Sequence, residues 1–264
     1  MVAFYRLWIG ALVLTAISVA FGQPLSWKTV HSTWLGGVFL AGDMMMFFSA
    51  VRLTSIVDVT VIGGLQPALV LVFARRMFNE RLARWDLFWI AVAMAGVFIT
   101  VIGPGPAAPH RLLGDLLAVG TLLSFSAYWL ASKRARESTP AMEYTAGVMI
   151  VAAIVTSLVV VVAGHDLLRV HATDWVWIAL IALVPGTGHF LMNWAHRFVD
   201  ASVSSAISCL SPFVASVAAI PILGQSLSAL QVAGGIIGLA AVAVVAARSR
   251  HSDAPPPELF GSAS

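Results

Sequence analysis

The sequence predicts an all-α integral membrane protein of two inverted-topology helical repeats, with about nine transmembrane helices arranged as four plus five. Composition, apolar segments and an internal repeat predict this class. Of the 264 residues, 59% are hydrophobic and 10% are charged, and the mean hydropathy is +0.92. Soluble domains carry about 25% charged residues. Because so little polar surface cannot cover a globule in water, lipid must be the solvent for most of the chain.

Nine apolar segments have spanning or near-spanning length. A helix needs roughly 20 residues to cross the hydrocarbon core, with about 17 near the lower limit. Since every backbone group must be satisfied inside lipid, these segments are predicted to be helices. They cover approximately residues 5–21, 34–51, 54–74, 87–103, 113–131, 141–163, 174–195, 202–222 and 231–247.

The first segment has an alternative interpretation as a signal peptide. Arg6 precedes an apolar run that ends in Ser18-Val19-Ala20, a small-residue pattern typical of a cleavage site. The repeat counterpart of this segment lies largely inside a plain spanning helix. We therefore interpret 5–21 as a membrane helix.

The internal repeat relates residues 50–82 to residues 195–227 at a constant offset of 145. Arg52 aligns with Arg197, and Pro67 aligns with Pro212, without a gap. Self-similarity at a fixed offset indicates a repeated structural unit.

The offset divides the chain into two units of unequal length. Segments 5–21, 34–51, 54–74 and 87–103 each have a counterpart in the second half, whereas 113–131 maps before the first residue. The second half is therefore a five-helix unit, and the first half lacks its opening helix. An odd number of helices in each unit predicts an inverted arrangement. The predicted organisation is a first repeat at 1–103, a linker at 104–112, a second repeat at 113–247 and a disordered tail at 248–264.

Charge in the loops predicts the orientation. With the C-terminus in the cytoplasm, eleven Lys and Arg residues fall on the cytoplasmic side and four on the outer side, which satisfies the positive-inside rule. Lys133, Arg134 and Arg136 are interpreted as such anchors. Nine helices then place the N-terminus outside, which is unusual for a protein without a cleavable signal. A further helix before the first would place the N-terminus in the cytoplasm.

Charge and cysteine content also limit the possible functions. The net charge of +3 is spread in short clusters, so nucleic acid is not an expected partner. The one cysteine, Cys209, excludes an internal disulfide and a cysteine-based metal site. No cofactor is predicted.

Six short motifs carry a resemblance to a known family. They are Phe4-Tyr5-Arg6, Ala50-Val51-Arg52-Leu53-Thr54-Ser55, Leu65-Gln66-Pro67, Asn79-Glu80-Arg81-Leu82, Leu210-Ser211-Pro212 and Gly224-Gln225-Ser226-Leu227. On these motifs the chain resembles an EamA-type permease of the drug/metabolite transporter superfamily. The resemblance implies two inverted five-helix repeats and transport of a small molecule. Two departures stand out: the family's first helix is absent, and Gln225 occupies a position where glutamate is usual.

Asp43 and His189 are the first candidates for a substrate-binding and proton-coupling site. A carboxylate at the centre of a spanning segment costs about 2.5–3.5 kcal/mol to insert, so Asp43 should face a cavity or a partner. His189 aligns one residue beyond Asp43 in the repeat, and histidine can relay protons near neutral pH. Each also has a simpler interpretation as a hydrogen-bonded packing residue.

Further substrate-binding candidates are Tyr128 and Asn193, and the two proline motifs. Tyr128 and Asn193 could equally bond across a helix interface. Pro67, inside a helix, would free the carbonyl of Gly63. Interrupted helices in both halves are a known pointer to a transporter site, so Gln66, Pro67, Ser211 and Pro212 are included. The alternative is a kink filled by packing.

Arg6, Arg52 and Asp58 fall near the predicted outer face. They are weak candidates for an outer gate, and a plain interfacial ion pair is the simpler interpretation.

The predicted function is secondary transport of a small metabolite, such as an amino acid or an amphipathic drug, across the inner membrane. No phosphate loop, zinc-protease motif or nucleophile elbow is present in the sequence, so an enzyme is not predicted. A non-transporting shortened chain and an integral-membrane enzyme remain the alternatives. The expected partners are the substrate and the lipid bilayer, and a homodimer is also open.

Overall fold

Long apolar helices dominate the computed structural model of the protein. It describes residues 2–22, 25–54, 56–79, 83–101, 112–164, 174–208, 210, 211, 214, 217 and 228–248. Within these ranges, five helices are long and apolar enough to span a bilayer. They are Val2–Ala20, Thr29–Leu53, Leu112–Ala135, Ala141–Val162 and Asp174–Ala195. The prediction of a helical, multi-pass membrane protein is confirmed.

The helices overlap the predicted segments, and the second helix begins seven residues before its predicted start at residue 34. They are α1 (Val2–Ala20), α2 (Trp27–Leu53), α3 (Ile56–Gly63), α4 (Gln66–Met77), α5 (Arg84–Val101), α6 (Leu112–Ala135), α7 (Ala141–Val162), α8 (Asp174–Ala195), α9 (Ala201–Ser208) and α10 (Ala229–Arg248). Predicted segment 54–74 is divided between α3 and α4. Segment 202–222 is described as a continuous helix only through α9. The count of nine spans and the inverted relation of the repeats stay predictions.

Large apolar side chains lie exposed on these helices. Val162, Val184 and Trp177 are 88%, 68% and 66% exposed, and Leu12 is 64% exposed. Monomeric soluble proteins rarely expose extended apolar patches. These surfaces are what a lipid-facing helix requires.

Side-chain caps and glycines explain several helix ends. The Ser26 hydroxyl accepts the amide N–H of Thr29 at 3.2 Å and so caps α2. Ser228 and Gln231 form a reciprocal capping box at the start of α10. After α1 and α7 the chain turns through Gly22 (φ 74°) and Gly164 (φ 65°), a backbone region that favours glycine.

The proline of segment 54–74 interrupts the helix instead of lying inside it. The amide of Gly64 still bonds the carbonyl of Thr60, but that of Leu65 turns to Ile62. A new helix, α4, then begins at Gln66 with Pro67 in its first turn. Proline is tolerated there because the first turn has no intrahelical partner for its N–H. Pro212, the counterpart in the second half, lies outside the described residues.

The chain forms two compact units. Over the described residues, unit 1 lies within 2–48 and 127–198, and unit 2 lies within 49–126 and 199–248. Each unit therefore takes helices from both halves of the sequence. The repeat boundaries at 103 and 113 stay a prediction.

In unit 2, helices α5 and α10 approach closely through glycines. A Cβ added to Gly96 would lie 2.7 Å from the carbonyl oxygen of Gly234 and 2.7 Å from the amide nitrogen of Gly238. Small residues at such crossings let helix backbones pack tightly in membranes. Buried side chains beside the crossing, such as Ala93, Ala241 and Val242, continue the same packing.

We expect Gly96→Ala to destabilise unit 2, because the new methyl group would meet backbone atoms that cannot move away. Overpacking of this kind costs about 1–3 kcal/mol. Gly63→Ala is the matched control, since a Cβ there meets nothing within 4 Å. Thermal unfolding in detergent should show a lower Tm for Gly96→Ala alone. Equal melting of the two variants would contradict this packing.

Candidate functional site

Four of the predicted site residues come together in unit 1. Arg6 lies on α1, Asp43 on α2, Tyr128 on α6 and His189 on α8. Asp43 and Tyr128 are buried, and Arg6 and His189 are partly buried. The structure therefore joins a cation, a carboxylate, a phenol and an imidazole from four different helices.

Arg6 forms a hydrogen bond with His189. A guanidinium nitrogen of Arg6 lies 3.4 Å from Nε2 of His189. A guanidinium has only donors, so Nε2 must be the accepting nitrogen and the ring proton must sit on Nδ1. His189 is consequently neutral in this arrangement.

Asp43 supplies the opposite charge. Its carboxylate interacts electrostatically with Arg6 and with Tyr128. The rings of Tyr128 and His189 meet edge to face, with centroids 5.7 Å apart. The cluster therefore contains groups of both charges.

Asn193, one turn beyond His189 on α8, bonds to two neighbouring helices. Its Oδ1 accepts the hydroxyl of Tyr128 at 3.2 Å and that of Ser132. Its Nδ2 donates to Oγ1 of Thr145 on α7 at 3.0 Å. The predicted alternative for Tyr128 and Asn193, a bond across a helix interface, is therefore present. Their role in binding stays a prediction.

His196 extends this network beyond the end of α8. Its Nδ1 lies 2.9 Å from the Ser132 hydroxyl, and its ring packs against Trp129 at a centroid distance of 4.9 Å. Burial, and then the positive charges of Lys133 and Arg136, lower the pKa of the His196 imidazole to about 3. His196 is therefore neutral at physiological pH.

Arg136 is buried, unlike its neighbour Arg134, which is exposed. Its Nε donates to the carbonyl of Asn193 at 2.7 Å, and another nitrogen donates to the carbonyl of Thr139. Burial, and then the charge of Arg197, lower the pKa of Arg136 to about 10, so it stays charged at neutral pH. Arg136 thus caps the C-terminal end of α8, in addition to its predicted role as a topological anchor.

The remaining predicted site residues belong to unit 2. Gln66 and Pro67 are buried at the start of α4. Ser211 is exposed, and Arg52 is exposed in the last turn of α2. Pro212 lies outside the described residues.

Asp58, a gate candidate, shares a hydroxyl with a second carboxylate. Oγ1 of Thr54 lies 3.2 Å from Asp58 and 2.6 Å from Asp115. Arg6 is also a gate candidate, and its described hydrogen-bond partner is His189 in unit 1. A gate formed by Arg6, Arg52 and Asp58 stays a prediction. Over the described ranges, no group of three or more His, Cys, Asp and Glu residues has a metal-binding arrangement.

Sequence reasoning did not single out Ser132, Thr145 or His196. The available signal was helical spacing, because His189, Asn193 and His196 follow one another at intervals of four and three residues along one face. The hydroxyls gave no comparable signal, since serine and threonine in membrane helices commonly bond their own backbone, as Thr145 also does.

The model of one protein family matches nearly the whole chain. It is the EamA-like transporter family, and it aligns with residues 1–102 and 112–247. The chain belongs to this family. The resemblance found in the sequence motifs is confirmed, and the protein is a membrane transporter of the drug/metabolite type.

Two relatives of this EamA-like transporter carry transport-related names. Solute carrier family 35 member G1 of Mus musculus is 35% identical over 71 residues, which cover 27% of this chain and 19% of the relative. The protein named Uncharacterized transporter YyaM, of Bacillus subtilis (strain 168), is 24% identical over 211 residues. That match covers 77% of this chain and 68% of the relative. The aligned region thus spans about a fifth of the mouse protein.

A solved crystal structure has the same fold as this EamA-like transporter. It aligns with a TM-score of 0.78 at 19% identity, covering 92% of this chain and 86% of the other. At this identity the likeness establishes the fold alone. The family and the named relatives indicate transport.

We expect Arg136→Met to destabilise the end of α8 in unit 1. The substitution keeps an unbranched stem but leaves two carbonyls without their donor, and an unsatisfied buried acceptor costs about 1–3 kcal/mol. Arg134→Met removes the same charge from the exposed neighbour and should change stability little. Thermal unfolding in detergent tests this prediction. A similar decrease in Tm in both variants would show that the hydrogen bonds of Arg136 do not contribute to stability.

We also expect His196 to make the protein sensitive to acid. Its pKa is about 3 in the folded state against an ordinary value near 6.5, so only the unfolded state gains the proton as pH falls from 6.5 towards 3. The contribution is complete above pH 6.5 and is lost below it, by about 2 kcal/mol between pH 7 and pH 5. His196→Gln should reduce the fall in Tm over this interval.

The control is His31→Gln, which removes an exposed histidine. It should keep the full acid dependence of the wild type. If His196→Gln and the wild type lost the same Tm between the two pH values, His196 would not be the group responsible.

Proposed function

We propose that this protein exports a small zwitterionic metabolite, such as an amino acid, across the inner membrane by alternating access of two inverted repeats. The C-terminus lies in the cytoplasm in this proposal, because the loop charges favour that orientation. The observation that carries the proposal is the cluster of Arg6, Asp43, Tyr128 and His189 on four helices of one unit.

The opposite charges of Arg6 and Asp43 support a zwitterionic substrate. A planar guanidinium matches a carboxylate, and the Asp43 carboxylate attracts an ammonium group. An α-amino acid carries both groups. Its binding would replace the charge interaction between Arg6 and Asp43 by two interactions, one between Arg6 and the substrate carboxylate and one between Asp43 and the substrate ammonium group. Amphipathic drugs are a weaker second candidate, supported by the apolar helices around the cluster.

Proton coupling belongs to the same proposal, with different roles for Asp43 and His189. Arg6 already donates to His189 Nε2, so this imidazole takes up a proton only after Arg6 has moved. Asp43 is therefore the first proton carrier. Its protonation removes the negative charge that faces Arg6 and leaves the guanidinium available to a substrate carboxylate.

The helix interruption in unit 2 is a further part of the proposal. Pro67 has no N–H for the carbonyl of Gly63, and the amide of Ala68 bonds Leu65 instead of Gly64. Carbonyls released in this way can bind a substrate or a coupling ion in transporters. Gln66, Ser211 and Pro212 are retained as candidates for this region.

The test is uptake of radiolabelled amino acids into inside-out vesicles, with and without an imposed proton gradient. Wild-type uptake should increase with the gradient. Asp43→Asn should abolish that increase and slow uptake by about 10- to 100-fold, which corresponds to loss of a charged hydrogen-bonding partner worth roughly 1.5–3 kcal/mol. His189→Ala should slow uptake less, because Arg6 and Asp43 remain.

The control variant is Glu137→Gln, which neutralises an exposed carboxylate outside the spans and should transport like the wild type. The coupling proposal fails if the double variant Asp43→Asn with His189→Ala transports normally at every pH. Absence of uptake of any amino acid by correctly inserted wild type would reject the proposed substrate class.

A further inference from the structure

The helix interruption of unit 2 occurs at the same place in both halves of the sequence. The amide of Leu65 bonds the carbonyl of Ile62 at 3.1 Å, and the amide of Leu210 bonds that of Ile207 at 3.1 Å. The two turns are separated by the repeat offset of 145 residues, and both belong to unit 2. The interruption is therefore a feature of the repeated sequence and not an isolated effect of one proline.

The two interruptions differ in the residue that follows the turn. In the first half this residue is Gln66, the first residue of α4, and it is 7% exposed. In the second half the equivalent residue is Ser211, which is exposed. A buried polar group in a spanning segment needs a partner in the protein or in a bound molecule, because the bilayer core supplies no water. The hydrogen bonding of Gln66 therefore requires an explanation.

The side-chain amide of Gln66 carries an unused donor. Its Nε2 is buried and has no hydrogen-bond partner among the residues that the structure describes. Side chains on a helix lean towards its N-terminus, so the first residue of α4 directs its side chain back over the interruption. A buried donor is costly to leave without an acceptor. The interruption therefore favours a bound group that can accept a hydrogen bond.

Carbonyl groups at the same turn lack the donors of a continuous helix. Pro67 has no N–H for the carbonyl of Gly63. The amide of Ala68 bonds Leu65 instead of Gly64. A Cβ added to Gly63 would meet nothing within 4 Å, so there is room beside this carbonyl. A bound group at the turn can therefore donate a hydrogen bond as well as accept one.

We propose that the turn between α3 and α4 binds a neutral hydroxyl group, supplied by a water molecule or by the side chain of a substrate. The hydroxyl oxygen accepts from Gln66 Nε2, and its proton goes to the carbonyl of Gly63 or Gly64. A cation is unsuited to this position because the amide N–H groups present positive charge. A carboxylate is unsuited because the carbonyl oxygens present negative charge.

The substrate source rests on the proposed function, whereas the binding of a hydroxyl does not. Of the two occupants suggested above for the released carbonyls, the substrate fits this donor and acceptor pattern and a coupling ion does not. An amino acid with a hydroxyl side chain, such as serine, would form hydrogen bonds at the turn that alanine cannot form. Serine and alanine are therefore the matched pair of probes.

The first experiment asks whether the Gln66 amide has a partner. Gln66→Met keeps an unbranched side chain and removes its polar atoms. If Nε2 bonds a hydroxyl, the variant should melt about 2–4 °C below the wild type in detergent, the equivalent of one hydrogen bond in a protein of this size. Leu65→Met, at the exposed neighbour, is the control and should change Tm little. An unchanged or raised Tm in Gln66→Met would overturn the proposal, because removal of an unpaired donor does not destabilise a protein.

The second experiment identifies the partner. The full-length protein, labelled with ¹⁵N-glutamine and reconstituted in lipid nanodiscs, is examined by NMR, and the side-chain signal of Gln66 is assigned by its loss in Gln66→Met. An NOE to water protons that persists with L-serine and with L-alanine assigns the hydroxyl to a bound water. A shift with L-serine but not with L-alanine assigns it to a substrate side chain. A signal that shows no contact with water and no shift with L-serine would overturn the proposal.

Uptake into vesicles separates this proposal from the proposed function. If the hydroxyl belongs to the substrate, serine should compete with a labelled amino acid better than alanine does. Gln66→Met should reduce that preference by about 2- to 10-fold, the equivalent of one hydrogen bond. An unchanged preference in the variant would overturn the substrate source. Absence of wild-type uptake would instead reject the proposed transport activity, and the NMR result would still decide whether the turn binds a hydroxyl.

Discussion

The side-chain amide of Asn193 is the interaction on which unit 1 depends. Water is absent from the bilayer core, so a polar group on a spanning helix must find its partners inside the protein. Asn193 finds them on two neighbours of α8, in Tyr128 and Ser132 of α6 and Thr145 of α7. Individual bonds of this kind contribute modestly, about 0.6 kcal/mol on average in one membrane protein. Their joint effect is to fix the rotation of α8, and with it the position of His189 one turn away.

The candidate site combines one permanent charge with groups whose charge can change. Arg6 cannot lose its proton under physiological conditions, so the electrostatic state of the cluster is governed by its partners. It donates to His189 and attracts Asp43, two partners that respond to protonation in opposite ways. An arginine between a carboxylate and an imidazole can thus keep a hydrogen-bond acceptor when one of these two partners takes up a proton. This property suits a carrier that must pass through an empty state in every cycle.

Much of the fold followed from the sequence because lipid imposes a strong and simple pattern. Composition and segment length predicted the membrane class, and the bounds of α7 and α8 differ from the prediction by at most one residue. The interruption at Gly64 and Leu65 was less predictable, because a proline permits either a kinked helix or a new start. Which occurs depends on whether Ile62 or Val61 receives the amide of Leu65.

The site was predictable in part, and for a physical reason. Ionisable residues inside spanning segments are costly, so Asp43 and His189 stood out from the apolar background. Arg6 was predicted only as a weak gate candidate near the outer face. Ser132 and Thr145 did not stand out, because a hydroxyl in a helix can always bond its own backbone. Their roles depend on which faces of α6 and α7 meet α8, and this is a property of tertiary packing. The division of the chain into units that mix both halves of the sequence was likewise beyond the reach of a repeat pattern.

The contact of Arg136 with the end of α8 has a consequence for biogenesis. The guanidinium and the carbonyl of Asn193 are 57 residues apart in sequence, and the chain is synthesised from its N-terminus. When α6 and α7 have entered the membrane, Arg136 is still without this acceptor, and α8 is still to be made. Arg136, at the turn between α6 and α7, is therefore the group that contacts the end of α8 once α8 has been made. The packing of α8 in unit 1 thus depends on a residue that is made before α8 itself.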